Sequence, residues 1–108
     1  MIANTVRERN IEEPYEIRYL LDSGCSACIA ECIRFISEME KSKYKGTITI
    51  YYSSSFAENL DYYLSQLRTP IPTNISFVGR EDNYPFKYKN LTRLHIVDIN
   101  GKSLAIVQ

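Results

Sequence analysis

The chain has 108 residues, a size that supports one hydrophobic core and excludes two independent domains. Its 13 Lys and Arg balance its 13 Asp and Glu, so no net field draws it to phosphate backbones or anionic membranes, and no nucleic-acid partner is expected. Hydrophobic residues make up 44% of the chain and charged residues 24%, which excludes disordered and collagen-like classes, and no apolar run reaches the length of a membrane-spanning segment.

Residues 1–14 read as an N-terminal arm, with Glu8 to Glu13 solvated. Met1 to Arg9 lacks the basic-then-apolar layout of a secretory signal. Two localisations follow: cytoplasmic, or exported with the signal removed. From Tyr15 to Asp22 the run alternates and then turns apolar, which predicts a strand entering the interior. Asp22-Ser23-Gly24 reads as a turn with helix-capping side chains.

A helix is predicted from Cys25 to about Lys41, with Cys28, Cys32, Phe35, Ile36 and Met39 on one face and Glu31, Arg34, Glu38 and Lys41 on the other. Thr47 to Tyr52 is β-branched and aromatic, a second strand. Ser55-Phe56-Ala57-Glu58 has the form of a capping box. The helix it opens is expected to bury Phe56, Leu60, Tyr63, Leu64 and Leu67 and to stop before Pro70. This strand–helix–strand order predicts a βαβ unit with parallel pairing.

Thr69 to Asn90 is punctuated by Pro70, Pro72 and Pro85, with a short strand suggested at Ile75–Val78. Leu94–Ile99 and Lys102–Val107 flank Asn100-Gly101, the pattern of a β-hairpin closed by a type I′ turn. Asn74-Ile75-Ser76 and Asn90-Leu91-Thr92 match the glycosylation sequon, which has meaning only in a glycosylating compartment.

The chain's 3 cysteines, Cys25, Cys28 and Cys32, fall within eight residues. At the start of a helix, free amides and the positive end of the helix dipole stabilise a Cys25 thiolate. A thiolate attacks a disulfide, and a cysteine three residues on is close enough to resolve the mixed disulfide. Asp22, as a nearby anion, would oppose that thiolate. Cys32 lies mid-stripe and reads as a buried small hydrophobe, with a third exchanging thiol as the alternative.

The strand, the Cys25-Ser26-Ala27-Cys28 pair at a helix start, the second strand, the helix and the closing hairpin resemble a thioredoxin-like α/β domain. In that fold class a central mixed sheet carries the βαβ unit and the C-terminal hairpin. Leu21-Asp22-Ser23-Gly24-Cys25-Ser26-Ala27-Cys28 and Ile96-Val97-Asp98-Ile99-Asn100-Gly101-Lys102 are similar to exported bacterial TlpA- and ResA-like redoxins. The resemblance spans about Glu16 to Val107, within a single domain of residues 1–108. It implies a thiol-disulfide oxidoreductase with Cys25 as the exposed nucleophile and Cys28 as the resolving thiol. Its partners would be protein thiols or disulfides and a redox partner protein, its location periplasmic or lipid-anchored, and it would need no cofactor.

The chain departs from that pattern in four places. Gly24 stands where thioredoxins carry Trp, and Tyr19 stands where they carry a buried acid. Thr92 or Arg93 stands at the position of their cis-proline. The sequence ends at Gln108, where that family adds a helix covering one sheet face; a truncated sequence, a homodimer or an N-terminal segment folded over that face would account for the difference. Two other readings stay open. One is Zn or Cu(I) held by the three thiolates, although His95 is the only histidine to add. The other is a non-catalytic interaction module presenting Tyr51-Tyr52 and Tyr62-Tyr63. In the bland form of that reading, one tyrosine of each pair packs inward and the other is solvated.

Overall fold

The computed structural model describes residues 6–8, 10–11, 14–21, 25–42, 44–53, 55, 57–68, 70–80, 94–98 and 100–107. The Asp22-Ser23-Gly24 turn, Phe56, Pro85, the Asn90 sequon and the Thr92–Arg93 pair lie outside them. Five strands and two helices follow in the order β1 (Glu16–Leu21), α1 (Ser26–Ser42), β2 (Ile48–Ser53), α2 (Ala57–Ser65), β3 (Ile75–Arg80), β4 (Leu94–Val97) and β5 (Ser103–Val107). The result is an open, mixed, five-stranded sheet in the order β3-β2-β1-β4-β5, an arrangement that fits a thioredoxin-like fold.

β1, β2 and β3 are mutually parallel, joined by the two helices. β4 then runs antiparallel on the other side of β1, with Arg18 opposite His95, and β5 closes the hairpin. β1 is therefore the central strand, buried on both faces, and its near-continuous apolar run follows from that position. Ile17, Tyr19 and Leu21 point to the helices, whereas Leu20 faces away and is also buried.

Both helices pack on one face. Ile29, Cys32, Phe35, Ile36 and Met39 of α1, together with Leu60 of α2, join Ile17, Ile48, Ile50 and Ile96 in the main core. The Tyr19 and Phe35 rings stack with centroids 4.8 Å apart. On the opposite face Leu20 and Tyr51 form a smaller cluster with Val78, beside a hydrogen bond from the Thr49 hydroxyl to Glu16 at 3.0 Å. Among the described residues no helix covers that face.

Three expectations need correction. α2 buries only Leu60, with Tyr63, Leu64 and Leu67 half-exposed, because it leads to the edge strand β3 and meets less of the core than α1 does. The expected capping box does not form: the Ser55 hydroxyl lies 2.9 Å from that of Ser53, which also accepts the Ser55 N–H at 3.3 Å. Nor is the arm wholly solvated. Residues 6–8 make a helical turn that ends on Asn10 at φ 52°, and Val6 and Ile11 pack against the main core.

The hairpin is present, but its turn is not type I′. Only Gly101 has positive φ, at 83°, and Asn100 does not. Asp98 decides the geometry. Its carboxylate accepts the N–H groups of Asn100 at 2.8 Å and Lys102 at 2.9 Å, while its carbonyl accepts the Gly101 N–H at 3.0 Å. This favours a turn followed by a left-handed glycine over a two-residue loop.

The Asn74 sequon has a structural explanation. The Asn74 side-chain amide donates to the carbonyls of Tyr44 at 3.0 Å and Gly46 at 2.8 Å, tying the loop before β2 to the start of β3. The Tyr44 hydroxyl adds a bond to the Tyr15 carbonyl at 2.7 Å, and the two rings stack at 5.3 Å. A glycan on that amide would replace one of its two N–H donors and crowd a half-buried site.

Candidate active site

The C-terminal ends of the parallel strands are where α1 begins, and Cys25 stands at that junction. Its carbonyl accepts the Ile29 N–H at 3.0 Å, the first helical hydrogen bond, so Cys25 is the N-cap residue. Its Sγ accepts the Cys28 N–H at 3.1 Å, the bond a serine or aspartate oxygen makes at an ordinary N-cap. A cap therefore lies in the cysteine itself, while the Asp22-Ser23-Gly24 turn, with its expected capping side chains, lies outside the described residues.

Cys25 and Cys28 are joined by a disulfide, with Cα atoms 5.2 Å apart. One turn of helix supplies this spacing, which falls within the range a disulfide requires. Cys25 is exposed and Cys28 is half-buried against the main core, while Ser26 and Ala27 between them are exposed. No acidic residue occupies the first turn of α1. Glu31, one turn further, is exposed.

Cys32 belongs to a different environment. It is a free thiol with 0% exposure, surrounded by the apolar core, and burial pushes it up to about 12 from 9.0. Desolvation disfavours the thiolate, so Cys32 is a poor nucleophile at neutral pH. Among the described residues no three Cys, His, Asp or Glu side chains converge as a metal site.

Because the raised value belongs to the folded state, the stabilising contribution is complete below about pH 9 and is lost toward about pH 12, as the unfolded thiol ionises first. Urea unfolding at pH 8.5 and 10.5 should therefore show wild type losing about 2 kcal/mol more than Cys32→Val, which has nothing to titrate. Equal losses in the two proteins would mean that the thiol ionises within the fold.

Tyr19, at the position the resemblance gives to a buried acid, is 4% exposed and stacked on Phe35. Phe35 follows Cys28 by seven residues, roughly 10 Å along the helix axis. Tyr51 and Tyr52 both pack, on opposite faces of β2, so the expected half-solvated pair is found only at Tyr62–Tyr63, where Tyr62 is 62% exposed. Two clefts of about 460 and 340 Å³ meet at Tyr44 and Lys45. They open at the starts of β1, β2 and β3, the opposite end of the sheet from the cysteine pair.

The cap geometry of Cys25 and the packing of Tyr52 were not anticipated. The first had a signal, since a cysteine directly before a helical stripe occupies a capping position. The chain matches no protein-family model, no curated protein and no solved structure. What the fold and site define is a mixed α/β protein with a CxxC disulfide at the start of its first long helix, compatible with a redox role.

Proposed function

We propose that this chain is a thioredoxin-like domain with a thiol-disulfide oxidoreductase centre, Cys25 being the nucleophile and Cys28 the resolving thiol. The observation that carries the reading is the Cys25–Cys28 disulfide with Cys25 Sγ on the Cys28 N–H at the helix start. The same amide and the helix dipole favour the Cys25 thiolate after reduction. Exposure supports the division of roles, because an incoming disulfide meets Cys25 before the half-buried Cys28.

In the reducing direction, the Cys25 thiolate attacks one sulfur of a substrate disulfide and expels the other as a thiolate, which takes a proton from solvent. Cys28 then loses its proton and attacks Cys25 Sγ, closing the internal disulfide and releasing the second substrate thiol. Two electrons pass from the cysteine pair to the substrate, and a dithiol partner protein returns them by the same steps. The likeness to exported redoxins favours a compartment where substrate disulfides are present.

Alkylation tests this directly. Native reduced protein should take up two alkyl groups and oxidised protein none, with one more in denaturant as Cys32 becomes accessible. A glutathione titration should convert the two forms reversibly in a two-electron transition. The proposal fails if the reduced pair does not re-form its disulfide, or if Cys25 reacts no faster than an ordinary exposed thiol.

A further inference from the structure

The turn between β4 and β5 carries a chemically reactive pair of residues. Of the chain's asparagines, only Asn100 precedes a glycine; the others precede Thr, Ile, Leu or Tyr. An Asn-Gly pair is the most open to deamidation, because no side chain on the second residue keeps its backbone nitrogen from the asparagine amide carbon. Asn100 and Gly101 are both exposed, so water and hydroxide reach them. The turn follows Val97, which pairs with Glu16, and so stands at the opposite end of β1 from Cys25.

The attacking nitrogen is engaged in the folded chain. The Gly101 N–H donates to the Asp98 carbonyl at 3.0 Å. On either side of it, the N–H groups of Asn100 and Lys102 donate to Asp98 Oδ1 at 2.8 and 2.9 Å. The Asp98 N–H in turn donates to the Lys102 carbonyl at 2.9 Å, which closes the hairpin behind the turn. Attack requires the Gly101 nitrogen to lose its proton and swing toward the Asn100 side chain, so its bond to Asp98 must break first. A carboxylate held among these amides also opposes an amide anion. The Arg18 guanidinium pulls the other way: a Cβ on Gly101 would lie 3.7 Å from Nη2, and a cation there favours the negative charge that attack creates. Protection therefore rests on the bonds that Asp98 makes.

We propose that Asn100 is a deamidation site that Asp98 holds closed, so that modification proceeds only when the hairpin turn opens. In the open turn the Gly101 nitrogen gives its proton to hydroxide and bonds to Asn100 Cγ. The bond from Cγ to the side-chain nitrogen breaks, and ammonia leaves with a proton taken from water. The cyclic imide takes up one water and opens at either carbonyl, giving aspartate or isoaspartate, with no transfer of electrons. Aspartate places a second carboxylate beside Asp98, and isoaspartate adds a methylene to the backbone, so either product loosens the turn that holds the edge strand β5. The chain thus keeps an irreversible mark of hairpin opening. This inference stands whether or not the cysteine pair exchanges disulfides.

Peptide mapping of the full chain, incubated in mildly alkaline buffer with and without urea, tests the proposal. Deamidation at Asn100 in native wild type should be at least about tenfold slower than in urea-unfolded wild type, since a turn that must break several hydrogen bonds is open only rarely. Asp98→Ala should speed deamidation of the folded chain by about fivefold or more, the effect of losing one hydrogen bond of ordinary strength. Asp98→Asn, which keeps a side-chain oxygen acceptor, should retain most of the protection. Hydrogen exchange keeps the test available if Asp98→Ala does not fold: in wild type, urea below the unfolding transition should speed Gly101 amide exchange and Asn100 deamidation in parallel. Equal deamidation rates in folded and unfolded wild type, a folded Asp98→Ala no faster than wild type, or deamidation that stays constant while Gly101 exchange accelerates would each overturn the inference.

Discussion

Cys25→Ser is expected to reduce exchange with any disulfide to the background of the uncatalysed reaction, whereas Cys28→Ser should complete the first step and stop there. The second variant should accumulate a mixed disulfide at Cys25, detectable by mass spectrometry as substrate mass plus protein mass. The asymmetry follows from the exposed Cys25 and the half-buried Cys28. Stability does not confuse the comparison. Serine is a good N-cap, so Cys25→Ser keeps a hydroxyl acceptor for the Cys28 N–H. What both variants lose is the short disulfide loop, worth about 2 kcal/mol by loop entropy, and reduced wild type loses the same. Each variant should thus match reduced wild type in denaturant midpoint while differing from it in activity. Equal initial rates for Cys25→Ser and Cys28→Ser would remove the assigned roles.

The helix end contributes less to attack than the raw thiolate count suggests. A helix end raises the share of thiolate, but nucleophilicity falls as basicity falls, so the two effects on attack partly cancel. The larger consequence lies in the equilibrium of the pair: an amide that touches the Cys25 sulfur and stabilises its thiolate favours the reduced dithiol over the disulfide.

Local chemistry made much of this arrangement legible in the sequence. The β-branched run at Ile48–Ile50, the apolar stripe through Cys32, Phe35, Ile36 and Met39, and the cysteine spacing each encode their element through neighbours a few residues away. The missed parts depend on distant partners. Nothing near Leu94 says that β4 pairs with β1 and not with β3, because that choice is made by burial of Ile96 against Ile17 across the sheet. The hairpin misled for a related reason: Asn-Gly favours type I′ alone, but an Asp98 carboxylate that accepts two N–H groups selects another turn. Glu8 to Glu13 looked solvated because charge dominates it, and only the tertiary contacts of Val6 and Ile11 show that the arm docks.

Tyr19→Asp, which introduces the acid that the thioredoxin resemblance would place there, is expected to destabilise the fold strongly and to leave exchange no faster. Two costs combine. The stack with Phe35 is lost and a cavity opens, in the range of about 3–5 kcal/mol for removing a large buried aromatic. A carboxylate then occupies a site only 4% exposed among apolar neighbours, where desolvation raises its folded-state value. The ionisation penalty is absent below the unfolded value of about 3.9 and grows as pH rises through the folded value. Tyr19→Asp should therefore be least impaired in mild acid and unfold as neutrality is approached, the reverse of an ordinary ion-paired aspartate. Proton relay is no compensation, because Phe35 sits roughly 10 Å along the helix from Cys28, beyond the approximately 3 Å reach of a general base. Thermal unfolding of Tyr19→Asp, Tyr19→Ala and Tyr19→Phe between about pH 4 and pH 8 checks this, with Tyr19→Phe keeping the stack and losing no more than about 1.5 kcal/mol. A Tyr19→Asp protein as stable as Tyr19→Ala at pH 7, and faster than wild type in disulfide exchange, would show that an acid here does serve Cys28.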